Sequence, residues 1–150
     1  MNTYTYKDIS SLFLFWANTS GDVLTNLKLQ KLLYYAQAWF LVHFKTTLFD
    51  SNIEAWEYGP VVPDAYTEFK TFNRNPIEYS ATKKEESIFE KEKLEVLDSV
   101  YCTYVKYSAH ELVNITHNEK PWIEAYKSQD KIITPEAMKS YYSDLLKTSA

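Results

Sequence analysis

The sequence predicts a mainly α fold: one compact multi-helix domain around a central apolar helix, with at most a small two-stranded β element. Three observations predict it. Only two Gly and five Pro interrupt 150 residues, which favours long helices joined by short turns. Apolar residues recur at three- and four-residue spacing along most of the chain. A content of 45% hydrophobic and 24% charged residues suits one globular core at this length. Thirteen Tyr, eight Phe and four Trp raise the aromatic share to 17%, more than one core needs, so some Tyr and Trp rings are expected at the surface.

The first helix is predicted from about Tyr6 to Asn18, with Thr5 or Asp8 near its cap and Ile9, Leu12, Phe13 and Trp16 on one face. Asn18-Thr19-Ser20-Gly21-Asp22 reads as a turn. Thr25 then caps a helix from about Asn26 to Phe44, apolar most of the way round and therefore the hub of the core. Ile53 to Tyr58 alternates apolar and polar residues, the pattern of a short strand, which turns Trp56 inward. Gly59-Pro60 forces a turn, and Pro63-Asp64 opens a helix ending near Asn73. Ile77 to Ser80 is a candidate second strand, paired with Ile53 to Tyr58.

Lys83 to Glu95 is dense in charge of both signs, but Phe89, Leu94, Leu97, Val100, Tyr101 and Tyr104 carry a helical face through and beyond it. A solvated helix face fits better than disorder. Ser108-Ala109-His110-Glu111 has the form of a capping box opening a short helix. Thr116-His117-Asn118-Glu119 repeats that form just before Pro121, a residue suited to a first helical turn. Thr134-Pro135-Glu136 opens a last helix with Met138, Tyr141, Tyr142 and Leu145 on one face. No repeat or domain boundary interrupts residues 1–150.

Several function classes find little footing. His110-Glu111-Leu112-Val113-Asn114 places Asn where a zincin site needs its second His, so no metal ligand and no cofactor is assigned. Cys102 lies among Val100, Tyr101 and Tyr104 and reads as a small buried hydrophobe. Two glycines cannot build a nucleophile elbow or a phosphate-cradling loop. No catalytic residue is assigned. A net charge of −4 and the lack of a basic recognition helix argue against direct nucleic-acid binding; Lys28 with Lys31, and Lys83 with Lys84, share a face, but each cluster lies beside carboxylates or a buried helix. A single cysteine, no secretory start and no stretch of about 20 apolar residues point to a cytoplasmic protein with no membrane partner.

Three stretches carry a family resemblance. Asn26 to Trp39, NLKLQKLLYYAQAW, resembles the leading signature of the SocA-like Panacea antitoxin domain. Phe49 to Val62, FDSNIEAWEYGPVV, is similar to its second block, and Thr116 to Trp122, THNEKPW, to its third. Order and spacing match too, so the resemblance covers about 12–146. The positions carrying it are Lys28, Gln30, Lys31, Glu54, Trp56, Gly59, Pro60, Thr116, His117, Glu119, Pro121 and Trp122.

The resemblance implies an antitoxin of a two-gene toxin–antitoxin or prophage-associated system, neutralising a cognate protein toxin encoded nearby by direct contact. Its alternative is an adaptor that delivers the toxin to an AAA+ protease; a hydrolase-like enzyme and a phage structural protein are the weaker readings. Some members carry a further DNA-binding domain, for which 150 residues leave no expected room. Polar residues early in the hub helix, Lys28 and Gln30, are expected either to tie the Gly59-Pro60 turn to the core or to touch a partner. Partner anchors are expected at Tyr34, Trp56 and Tyr58. His117 and Glu119 are expected to cap the helix begun by Pro121, with Trp122 packed inward and His117 able to titrate near neutral pH if exposed.

Overall fold

Nineteen residues with no internal Gly or Pro make the hub. In the computed structural model, which describes residues 4–80 and 84–149, they form α2, Asn26–Phe44, capped by the Thr25 hydroxyl on the Lys28 N–H. Every residue from Lys31 to Ala38 is buried, so α2 has no solvent face along its middle. Around it pack α1 (Tyr6–Ser20), α3 (Pro63–Phe69), α4 (Lys91–Tyr104), α5 (Ala109–His117) and α7 (Pro135–Ser149). A short α6, Lys120–Lys127, lies beside α5 and α7, and a 3-10 turn at Lys70–Phe72 extends α3.

Local chemistry explains the ends of these helices. Thr5 and Asp8 form a reciprocal capping box at α1, and Ser108 and Glu111 form another at α5. Gly21, at φ 77°, ends α1 in the left-handed conformation that glycine adopts without strain. The capping-box reading of His110-Glu111 therefore holds: the Glu111 carboxylate accepts from the Ser108 N–H at 2.8 Å.

The sheet has three antiparallel strands, one more than expected, in the order β2-β1-β3. β1, Ile53–Trp56, pairs with β2, Gly59–Val61, through a two-residue turn at Glu57-Tyr58 that sets Trp56 opposite Gly59. Its other edge pairs with β3, Ile132–Ile133. Ile77–Ser80 is not a strand: the Ile77 N–H bonds the Leu24 carbonyl at 2.8 Å and its side chain plugs the core there. β1 buries Ile53 and Ala55, which puts Glu54 and Trp56 on the opposite face, so Trp56 does not turn into the core as expected.

Three other expectations are corrected. Cys102 is exposed on α4, with the Asp98 carboxylate 3.8 Å from its sulfur. On α7, Met138 and Tyr142 are buried, but the helix turns Leu145 to solvent. The helix through the charge-dense segment begins only at Lys91; 85–88 form turns, and Lys83 lies outside the described residues. No helix among the described residues is long and apolar enough to cross a membrane.

Candidate partner-binding site

The polar residues of α2 face inward, and each needs a partner there. Gln30 is satisfied at both ends of its amide: Oε1 accepts the Val62 N–H at 2.9 Å, and Nε2 donates to Asn26 Oδ1 at 2.8 Å. Asn26 passes the link on, donating to the Tyr66 carbonyl at 3.2 Å. Lys31, fully buried, donates from Nζ to the Pro60 carbonyl at 3.2 Å, and burial pushes its pKa down to about 7. Lys28 does not reach the turn. Its Nζ donates instead to the Val105 carbonyl at 2.6 Å, a free carbonyl at the end of α4. Lys28 and Lys31 thus make no basic surface patch.

Gly59 is fixed by the same arrangement. At φ 106° it holds a conformation that other residues rarely adopt, and a Cβ there would lie 2.5 Å from Lys31 Cε and 3.0 Å from Thr116 Oγ1. The buried Thr116 hydroxyl sits within bonding distance of the Leu112 and Val113 carbonyls, so it closes α5 and does not cap α6. First, second and third sequence blocks meet at this one point.

Glu119 stands at the N-cap position of α6, yet its side chain makes no cap. It turns inward, where Oε1 accepts from Tyr35 at 2.6 Å and from Tyr142 at 2.8 Å. Burial raises its pKa, and the two phenol donors oppose the rise. The Tyr34 hydroxyl lies 3.0 Å from that of Tyr142. Tyr34 is completely buried, which removes it from the surface where a partner anchor was expected. A helix with no solvent face leaves its rings no way out.

His117, the last residue of α5, caps nothing either. Its ring stacks on Trp122 at 4.0 Å, and its pKa is lowered by burial, with a hydrogen bond to the Glu57 backbone opposing and nearby Lys31 adding to the fall. The Trp122 indole N–H donates to the Trp56 carbonyl at 2.9 Å, while Pro121 is buried in the first turn of α6. Trp122 is thereby half-buried between His117 and Tyr126. Among the described residues no group of three His, Cys, Asp or Glu is placed to hold a metal ion.

What this scaffold leaves outside is the tip and outer face of the β1–β2 hairpin. Tyr58, in the two-residue turn, is 61% exposed, the most open large ring on the described surface. Trp56 lies half-buried beside it, its indole N–H on Glu54 Oε1 at 2.9 Å and its ring edge-on to Tyr66 at 5.0 Å. Both line a groove of about 680 Å³ between the hairpin, α3 and the start of α5. Lys70, Arg74 and His110 form its polar wall. Tyr66, Lys70 and Arg74 were not singled out in the sequence, where the only signal is two cations four residues apart at a helix end. A second depression of about 520 Å³, beside Trp39 and Leu146, holds none of the candidate residues.

The comparisons with known proteins converge with this geometry. The sequence matches the family described as "Antitoxin SocA-like, Panacea domain" over residues 29–123, the span from the hub helix to the Trp122 junction. It is 32% identical over 126 residues to "Antitoxin SocA" of Caulobacter vibrioides strain NA1000 / CB15N, covering 77% of this chain and 67% of that protein. No solved structure matches. The convergence of all three blocks on one hairpin is what a shared domain requires, and the chain belongs to the SocA-like Panacea antitoxin family.

Proposed function

We propose that this protein is a non-enzymatic antitoxin that neutralises a toxin encoded beside it by direct contact through the β1–β2 hairpin and the groove next to it. The observation that carries this is a division of labour within the family blocks. Gln30, Lys31 and Trp122 bond the backbone of the hairpin and the residue after it, Gly59 and Thr116 close around Lys31, and Glu119 ties α6 to Tyr35 and Tyr142, so these side chains are spent on the scaffold. Tyr58 is the block aromatic most open to solvent, and Trp56 lies half-buried beside it on the outer face of the hairpin. Aromatic rings on a rigid support are the usual anchors of a protein interface, since they bury much area at small entropic cost. The Caulobacter relative, Antitoxin SocA, supports the antitoxin role.

Growth rescue tests the reading. Co-expression should restore growth that the adjacent gene alone arrests, and rescue should persist in cells lacking the AAA+ protease. Rescue confined to cells with the protease would make the protein an adaptor for degradation. No rescue in either background would refute the antitoxin reading.

A further inference from the structure

Resting on that reading, we infer that the groove takes an acidic, apolar segment of the partner protein, seated with its carboxylates on Lys70 and Arg74 and an apolar side chain against Trp56, Tyr58 and Tyr66. Charge distribution carries the inference. The chain has 20 acidic and 16 basic residues, so an average surface patch is acidic. The groove inverts that balance: its wall contains Lys70, Arg74 and His110, and no carboxylate lines it. Arg74 is the one arginine of the chain. Neither its guanidinium nor the Lys70 ammonium has an ion-pair partner among the described residues. Glu54, on the same hairpin, accepts the Trp56 indole N–H and does not line the groove.

The geometry suits a peptide segment better than a bare anion. Arginine offers a planar fork that binds a carboxylate through two parallel hydrogen bonds, and lysine adds a point charge. Three aromatic rings line the same groove, Trp56, Tyr58 and Tyr66, which a simple anion would leave unused. Buried Gln30 and Val61 close the floor, so an apolar side chain entering here loses its water contact. The imidazole of His110 supplies one further hydrogen-bonding group at the rim. A folded toxin presenting Asp or Glu beside Leu, Phe or Trp matches the cations and the rings at once, and charge complementarity of this kind speeds encounter and fixes register.

Binding of the full-length chain to the co-purified toxin, measured by calorimetry at increasing salt, tests this. The double variant Lys70→Glu, Arg74→Glu is expected to weaken binding by about tenfold or more and to flatten its salt dependence. The control pair Lys127→Glu, Lys147→Glu, away from the groove, should leave the affinity of the wild type. Circular dichroism melts of both pairs should match wild type, because Lys70 and Arg74 are exposed. Unchanged toxin affinity in the groove variant, beside intact wild-type binding, overturns this inference and leaves the antitoxin reading standing. A groove variant that keeps toxin affinity but loses binding to a single-stranded oligonucleotide assigns the groove to a polyanion and also overturns it. If the wild type neither binds the toxin nor rescues growth, both fall together.

Discussion

Lys31 couples stability to pH. Its amine is buried against a single carbonyl with a pKa near 7, whereas the unfolded chain holds the same proton to about 10.5. Between those values the unfolded state binds more protons, so stability rises as pH rises from 7. Below pH 7 both states are protonated and the contribution is flat at its least favourable level. Lys28, also lowered by burial, acts in the same direction, so the difference from Lys31→Met isolates Lys31. Urea unfolding at pH 7, 8 and 9 should show wild type climbing by up to about 1.4 kcal/mol per pH unit, with a much smaller slope in Lys31→Met. Equal slopes would mean that Lys31 keeps its ordinary pKa. Gly59→Ala tests the other side of the same contact. Its positive φ and a Cβ 2.5 Å from Lys31 should cost about 2–3 kcal/mol, read as a lowered melting temperature. At this scale the sequence marked Lys31, Gly59 and Trp56 as important but could not assign their partners. Tyr34 lies inside because its hydroxyl finds the Tyr142 hydroxyl there, a partner that only the tertiary fold supplies; without it a tyrosine suits an interface as well as a core.

At the scale of elements, the helices were legible where their caps were. Thr25 before Asn26, Ser108 before Ala109 and Pro135 at the start of α7 each mark a true boundary, because cap chemistry is local. Thr116 to Glu119 looked like a cap and was not: Thr116 bonds backward into α5, and Glu119 finds two buried phenols that only the tertiary fold supplies. Strands were harder. β3 has two residues, too few for a period-two pattern, and its Ile133 pairs with Ile53 of β1, a separation in sequence that no local signal bridges. Gln30 tethers the hub to the end of the hairpin beside the Lys31 contact, so removing its amide should loosen the hairpin selectively. Gln30→Ala leaves the Val62 N–H buried without an acceptor, at about 1–3 kcal/mol. Hydrogen exchange should then quicken over 53–62 while the middle of α2 stays protected. Uniform loss of protection in both would show that the hairpin has no separate attachment.

For the whole molecule, segments far apart in sequence are folded onto one another to present a small aromatic surface. The hub helix supplies Gln30 and Lys31, the α5–α6 junction supplies Thr116 and Trp122, and the hairpin between them carries Tyr58 outward. Family membership was legible in the order of the three blocks; the groove beside them was not, because Tyr66, Lys70 and Arg74 meet the hairpin only in three dimensions. A contact-based antitoxin should bury at least about 1,000 Å² with its toxin and form a complex stable to purification. The measurement that bears most directly on this is the affinity of purified wild type and Tyr58→Ala for the purified toxin, each with a thermal melt. A stable complex is expected for wild type, and a loss of more than about 2 kcal/mol of binding for Tyr58→Ala at an unchanged melting temperature. Equal affinity for the two proteins, at equal stability, would contradict the placement of the interface at the hairpin.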